Sequence, residues 1–195
     1  MNYDYINTLE VSTTFTSGRY TESTRTRVII RIANYLQSKG VQYTNVMPAS
    51  ADLGSGQGRS WQNTLGSKSK DSAESRLREL NYTWEWLQNE NLKVTTPVLP
   101  ATRLLADGRE VFFNQLIAAY RGWKDSRNKD SKKIRFGDGG DISEESMEIV
   151  CETAENITHD HFWQKGDLLL VDNFLIMHGR RPFVGTRKVL ASLSI

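Results

Sequence analysis

Short apolar runs separated by turn-forming residues are the feature that most limits how this chain folds. Asp107-Gly108 lies between two such runs and predicts a hairpin, because this pair accepts the positive φ angles of a tight turn. No strand–helix alternation typical of a parallel sheet is present. The pattern predicts a mainly β, mostly antiparallel fold with flanking helices outside it. The candidate strands are Val41–Val46, Tyr82–Leu87, Thr102–Ala106, Glu110–Phe113, Leu168–Val171 and Lys188–Ser194.

Three helices are indicated by apolar periodicity and by capping residues. Arg27–Lys39 has one apolar face, and Gly40 is its predicted C-terminal stop. Asp71 begins a second helix, with Glu74 at capping-box spacing. Ser143 caps a third helix, whose predicted buried face consists of Met147, Val150, Cys151, Ala154 and Ile157.

Composition excludes several classes of protein. The chain has 195 residues, of which 38% are hydrophobic and 25% charged, which suits a single folded domain over 1–195. A net charge of +2 gives no reason to expect a nucleic-acid partner, and no apolar run is long enough to span a membrane. Cys151 is the only cysteine, so no internal disulfide forms, and a cytoplasmic location is expected.

The three histidines, His159, His161 and His178, are close in sequence and allow two interpretations. On a strand, His159 and His161 share a face and could form a three-histidine zinc site with His178. In the simpler interpretation, His159 and His161 interact with the carbonyls at the end of the preceding helix. The sequence leaves both open.

His178 follows an apolar run, and a basic cluster follows it (Arg180, Arg181, Arg187 and Lys188). This cluster is either a solvated loop or includes an inward-pointing arginine. Arg187 opens an apolar strand, and an inward guanidinium there needs an anionic partner, which its planar fork suits when that partner is a carboxylate. A metal-binding imidazole and a carboxylate-binding arginine on adjacent strands could hold a metal with a dicarboxylic cosubstrate.

The stretch from Gly166 to Leu193 resembles the closing motif of the taurine dioxygenase-like family. Upstream segments agree in order, and together they are most similar to plant clavaminate synthase-like proteins. The resemblance extends from about Ile32 to the C-terminus and leaves 1–26 poorly matched. The upstream segments are Val111–Gln115, Ala118–Trp123, Phe136–Gly139 and Trp163–Asp167.

The resemblance implies a double-stranded β-helix (jelly roll) that is incomplete at the N-terminus. It implies an oxygenase that uses iron(II), 2-oxoglutarate and O2 to oxidise a small-molecule substrate. In this family two histidines and a carboxylate bind the iron. The motif places the distal histidine at His178 and the arginine that binds 2-oxoglutarate at Arg187. The family's upstream turn with the cosubstrate threonine corresponds to Thr16–Thr26, with that threonine at Thr21, or lies nearer Thr13 in an ungapped alignment.

Other polar and aromatic residues have less specific predictions. Asn114 and Gln115 follow a strand and either orient substrate or cap the next segment. Gly137 and Gly139 are predicted to form a tight turn. The five tryptophans are predicted to be packing residues: Trp61, Trp84, Trp86, Trp123 and Trp163.

The upstream His-x-Asp/Glu that supplies the other two ligands in this family has no counterpart, since no histidine precedes His159. Asn2-Tyr3-Asp4 has the spacing of that pair without the histidine. The ligand pair is expected before Met1. The chain is then a piece of a longer enzyme, a non-catalytic jelly-roll remnant that binds a partner, or one part of a site that a homo-oligomer or a completing partner chain supplies.

Overall fold

The computed structural model describes residues 6–7, 22–52, 58–122, 127, 133–179, 181, 184, 190 and 192. Within these residues the helices are α1 (Glu22–Lys39), α2 (Trp61–Leu65), α3 (Lys70–Glu79), α4 (Leu116–Gly122) and α5 (Glu144–Asn156), with a short 3-10 turn at Gln88–Glu90. The strands are β1 (Ile6–Asn7), β2 (Val41–Met47), β3 (Thr83–Trp86), β4 (Leu92–Thr95), β5 (Thr102–Leu104), β6 (Glu110–Phe113) and β7 (Ile134–Phe136).

The strands form two antiparallel sheets. One has the order β3-β4-β2-β7, with Val46 opposite Lys93 and Val41 opposite Phe136. The other has the order β1-β6-β5, with Thr102 opposite Phe112. The predicted combination of antiparallel sheets and outer helices is confirmed. The predicted predominance of strands is wrong for the described residues, because more of them are helical than extended.

The hairpin β5–β6 forms where Asp107-Gly108 predicts it, but its turn differs in detail. The Leu105 N–H donates to the Arg109 carbonyl at 2.8 Å, and the Gly108 N–H donates to the Leu105 carbonyl at 3.0 Å. Gly108 has a φ of +85°, whereas Asp107 has a negative φ. Three residues therefore close the loop, with only its last residue in the left-handed region. Asp107 instead accepts hydrogen bonds from Arg109.

The main core lies between α1, β2, α4 and α5. Ile32 and Leu36 of α1 pack there, and Gly40 ends α1 as predicted, with a φ of +70°. Ser143 caps α5 by accepting from the Ser146 N–H at 3.2 Å. The predicted face of α5 is confirmed except at Ile157, which is exposed. The buried residues of this core are Ile32, Leu36, Val41, Tyr43, Ala101, Leu116, Ile117, Ala119, Met147, Val150, Cys151 and Ala154.

A second core lies under α2 and α3, against β3 and β4. Trp61 is buried there and meets Trp86 edge-on, with 5.3 Å between ring centroids. Trp84 packs against the same core, so the packing prediction is confirmed for these three tryptophans. Trp123 lies outside the described residues. Trp163 is exposed and its packing prediction is wrong.

Helix α3 begins two residues earlier than predicted. Ser69, rather than Asp71, is its cap, and Ser69 and Ser72 exchange the reciprocal hydrogen bonds of a capping box. The hydroxyl pair satisfies the first amides of the helix, and Asp71 instead places its negative charge in the first turn, near the positive end of the helix dipole.

The described residues after α5 contain neither helix nor strand. The strand predicted at Leu168–Val171 is therefore absent. A strand requires backbone partners on a neighbouring strand, and no described residue supplies them to this run. The strand predicted at Lys188–Ser194 lies mostly outside the described residues. No helix in the described part of the chain is both long and apolar enough to cross a membrane.

Candidate active site

His178 is exposed and lies just after a tight turn, not at the end of a strand. The Asp172 carboxylate accepts from the Phe174 N–H at 2.9 Å, and the Asp172 carbonyl accepts from the Ile176 N–H at 3.0 Å. Aspartate favours such turns because its short side chain bonds to the backbone two residues on. The turn therefore determines where the chain presents His178.

Aromatic stacking docks this turn onto the β5–β6 hairpin. The Phe174 ring stacks on the Phe113 ring of β6, with centroids 6.0 Å apart and an interplanar angle of 23°. The Arg103 guanidinium lies 4.4 Å from the Phe174 centroid and 5.5 Å from that of Phe113. Met177 packs against the main core. Ring stacking and the cation–π contact together attach Phe174, four residues before His178, to the folded body.

Arg181 anchors the chain on the other side of His178. Its Nε donates to Asp160 Oδ1 at 2.9 Å and its Nη2 donates to Asp160 Oδ2 at 3.1 Å. Its Nη1 also pairs with Glu155, at the end of α5. The hydrogen bonds from Arg181 hold the pKa of the Asp160 carboxyl below its usual value. The sequence left Arg181 open as part of a solvated loop, and nothing near it in sequence predicts this carboxylate pair.

Asn114 and Gln115 adopt the capping arrangement that the sequence left as one alternative. The Asn114 Oδ1 accepts from the Leu116 N–H at 2.9 Å, and its Nδ2 donates to the Ala101 carbonyl at 2.9 Å. The Gln115 N–H donates to the Tyr43 hydroxyl at 3.0 Å. Burial raises the pKa of Tyr43, which keeps its hydroxyl neutral. These bonds fix the start of α4, and substrate binding by the two amides stays a prediction.

The predicted cosubstrate residues, Arg187 and Thr21, lie outside the described residues, as does the Asn2-Tyr3-Asp4 segment. Their roles stay predictions. Arg180 and Lys188 also lie outside the described residues. Of the predicted basic cluster, the structure therefore describes the contacts of Arg181 alone.

The three histidines, all of which are described, do not come together as a zinc site. His161 Nε2 lies 3.0 Å from Asp167 Oδ2, and its ring meets Trp163 edge-on at 4.8 Å. The pKa of Asp167 is lowered, first by the Gln164 N–H and then by His161. The described residues contain no group of three or more His, Cys, Asp or Glu side chains that could hold a metal ion.

The metal-binding side chains among the described residues also decide whether these residues can form an iron site. His178 is the one member of the predicted iron triad that the described residues contain. One imidazole does not make the facial site of two histidines and one carboxylate that non-haem iron(II) requires. The described residues therefore do not assemble that site by themselves.

The glycine-rich Phe136–Gly139 stretch has a structural role, as predicted for Gly137 and Gly139. Gly139 has a φ of +83° in the turn. A Cβ at Gly137 would lie 2.0 Å from the Lys39 carbonyl oxygen, so only glycine permits this close approach. Asp138 completes the contact through an ion pair with Lys39.

The fold combines two antiparallel sheets with outer helices, and the turn that precedes His178 is docked on the β5–β6 hairpin. Over residues 70–193 the chain matches the family described as "Taurine catabolism dioxygenase TauD, TfdA family". The chain therefore belongs to the TauD/TfdA dioxygenase family.

Two curated relatives support this assignment. A clavaminate synthase-like protein of Arabidopsis thaliana is 37% identical over 163 residues, which cover 81% of this chain and 48% of the relative. The dapdiamide synthesis protein DdaC of Enterobacter agglomerans is 26% identical over 173 residues, covering 83% of this chain and 50% of the relative. The likeness to plant clavaminate synthase-like proteins is confirmed. The chain spans about half the length of these relatives.

Proposed function

We propose that the chain contributes the C-terminal part of an iron(II)/2-oxoglutarate-dependent oxygenase. The observation that carries this proposal is the family match over residues 70–193, which includes both His178 and Arg187. In this proposal the chain forms a single domain with a jelly-roll core, and 1–26 is a less closely matched segment. The substrate is a small organic molecule, and O2 is the second substrate.

In the proposed site His178 is one iron ligand, and the exposed position of its ring after the docked turn leaves a nitrogen open to a metal. Arg187 binds the far carboxylate of 2-oxoglutarate through its planar fork. With metal and cosubstrate bound, the chemistry supplied is oxidation of the substrate coupled to conversion of 2-oxoglutarate into succinate and carbon dioxide. Two further metal donors have to come from outside the described residues.

A second candidate is a non-catalytic protein that binds a partner or an anionic ligand. The specific observation in its favour is that the described residues bring no three metal-binding side chains together. It differs from the oxygenase in one measurable respect, because it requires no iron.

An anaerobic titration of the 195-residue chain with iron(II) and 2-oxoglutarate tests the proposal. A visible charge-transfer band that saturates, and that is lost in His178→Ala and weakened in Arg187→Ala, would show that these 195 residues complete the site by themselves. His159→Ala and Arg135→Ala are the matched controls, since each removes an exposed side chain of the same type outside the proposed site. Both controls should retain the band.

A folded chain that gives no band shows that this chain alone does not hold the metal, which is the result for either a piece of a longer enzyme or the non-catalytic candidate. The same titration with the part of the Arabidopsis relative outside its match added separates the two, because only the piece of an enzyme then gains the band. Loss of the band in His159→Ala as well as His178→Ala would instead indicate a site built from several histidines. Parallel zinc titrations of the same variants separate these outcomes, because a three-histidine zinc site does not depend on Arg187.

A further inference from the structure

Arg103 of β5 is held by two aromatic rings rather than by a carboxylate. Its guanidinium lies 4.4 Å from the Phe174 centroid and 5.5 Å from the Phe113 centroid. The two rings also stack on each other, so the three side chains form one unit, called here the Arg103 cluster. Among the described residues, the Arg103 side chain has no hydrogen bond or ion pair.

A ring contact does not use up the hydrogen-bonding capacity of an arginine. The Arg78 guanidinium lies over the Trp84 ring at 5.4 Å and also donates to Glu74 at 3.0 Å. The face of a guanidinium that stacks on a ring is separate from its five N–H donors, which lie in its plane. Stacking therefore leaves Arg103 with a fork of donors that suits a carboxylate bidentately.

The two rings also fix where this fork is presented. An arginine without such contacts loses more rotamer freedom when it binds an anion, and that loss weakens binding. Apolar surface is present in the same docked turn, since Phe174 is 44% exposed and Ile176 is 56% exposed. The Arg103 cluster thus offers a charged fork beside apolar surface, which fits a carboxylate attached to an apolar body.

The Arg103 cluster is within the reach of a small molecule from His178. Phe174 precedes His178 by four residues, so their Cα atoms are at most roughly 14 Å apart. The turn shortens this span, because the Asp172 carbonyl accepts from the Ile176 N–H at 3.0 Å. A small organic acid bound to Arg103 could therefore extend toward His178.

We propose that the Arg103 cluster binds the carboxylate of a small apolar monocarboxylic acid, with Arg103 as the residue that determines this specificity. To call this acid the substrate rests on the proposed function, whereas the binding itself requires neither iron nor Arg187. Within that function, Arg103 adds a second anion-binding point to the one assigned to Arg187 for the cosubstrate.

The test is a titration of the metal-free 195-residue chain with 3-phenylpropionate, followed by NMR at the Arg103 Nε–H and at the ring of Phe174. The matched neutral probe is 3-phenylpropionamide, which has the same apolar body without the charge. We expect saturable shifts of both signals with the acid. The amide should bind about tenfold more weakly, because hydrogen bonds between two charged groups are the stronger ones.

Arg103→Gln should weaken binding of the acid about tenfold and leave binding of the amide unchanged. Arg103→Lys should have an intermediate affinity for the acid, since lysine keeps the charge but not the planar fork. This second variant keeps the test decisive if circular dichroism shows that Arg103→Gln alters the fold. Arg78→Gln is the matched control, because Arg78 is also a ring-stacked arginine but lies outside the Arg103 cluster. It should bind the acid as the unsubstituted chain does.

Equal affinity for acid and amide, or unchanged binding of the acid in both Arg103 variants, would overturn the proposal. The source of the carboxylate is tested by adding the part of the Arabidopsis relative outside its match. If that part displaces the acid and itself shifts the Arg103 signal, an acidic side chain is the occupant and the small-molecule site is wrong. An iron band without binding of the acid would overturn the Arg103 site alone. Binding of the acid by a chain that never gains the band, even with that part added, would contradict the oxygenase alone.

Discussion

Residues 27–156 and the described residues of 157–181 belong to one chain but are stabilised in different ways. Every buried residue in the described part of the chain lies in the first region, most of them in two cores formed by helices and sheets. In the second region no residue is buried, and Val171, Asn173, Leu175 and Met177 are only partly covered. Three separate contacts attach the second region to the first: Phe174 stacks on β6, Met177 packs against the main core, and Arg181 pairs with Glu155 of α5.

The difference separates what makes this chain fold from what makes it resemble an oxygenase. The second region contains His178 and part of the motif that carries the family resemblance, yet it adds little to either core. Its apolar run Leu168–Val171 is as rich in leucine as a core strand, but the three leucines are exposed to solvent. The first region can therefore form a stable body, while the second has the sequence of a buried strand without the neighbours that would bury it.

The largest expected effect comes from matched leucine truncations in the two regions. Leu116→Ala removes a fully buried side chain from the main core and should lower the free energy of unfolding by about 2–5 kcal/mol. Leu170→Ala removes an almost fully exposed one and should change it by no more than about 0.5 kcal/mol. Urea unfolding followed by circular dichroism measures both. Equal losses would show that Leu170 is already packed in this chain, and would remove the contrast between the two regions.

A smaller effect is expected from alanine at two glycines. Gly137→Ala places a Cβ against the Lys39 carbonyl oxygen and Val98, and should cost about 1–3 kcal/mol in global stability. Gly166 has a φ of +99° but open space around it, so Gly166→Ala strains only the local backbone, by about 1 kcal/mol.

Because Gly166 lies in the second region, we expect that strain to speed hydrogen exchange near 164–168 while the global unfolding midpoint stays unchanged. Gly122→Ala is the control, since it has open space and no positive φ. A global loss in Gly166→Ala as large as that in Gly137→Ala would mean that the two regions unfold as one unit.

The parts of the first region that the sequence predicted correctly have local signals, whereas α2, β4, α4 and β7 were not predicted. Gly40 ends α1, Ser143 caps α5, and the hairpin at Gly108 forms, each determined by residues within a few positions. The wrong cap predicted for α3 also concerns neighbouring residues. Ser69 and Asp71 are both residue types that cap helices, and the hydrogen bonds between Ser69 and Ser72 decide in favour of Ser69.

The second region was predicted poorly because its structure depends on partners distant in sequence. The strand expected at Leu168–Val171 needs a neighbouring strand, which the run itself cannot specify. The contact between Phe174 and Phe113 joins residues 61 positions apart, and no periodicity indicates it. For the site, the sequence predicts His178 and Arg187 through the family motif, and their roles stay predictions, whereas the Arg181–Asp160 pair is evident only in the structure.

The smallest expected effect is the pH response of the Arg181 attachment. The pKa of Asp160 is lowered in the folded chain, mainly by the hydrogen bonds from Arg181 and also by the charges of Arg181 and His159. A lowered folded-state pKa means that the contact stabilises the attachment fully above the unfolded-state value and is lost as the pH falls through the folded-state value. The pair is exposed and screened by salt, so global stability should hardly change.

The loss should instead appear locally, as weaker protection from hydrogen exchange around 178–181, relative to the intrinsic exchange rate at the same pH, at acidic pH and at high salt. Arg181→Gln should return the pKa of Asp160 toward its ordinary range in a carboxyl-detected NMR titration, and should make the local protection independent of pH across that range. Lys165→Gln, which also removes one positive charge from the second region, is the control and should leave the Asp160 titration in place. An Asp160 that titrates normally in the unsubstituted chain would show that Arg181 does not hold this carboxylate in solution. The second region would then be attached through Phe174, Met177 and the pair of Arg181 with Glu155, without the contribution of Asp160.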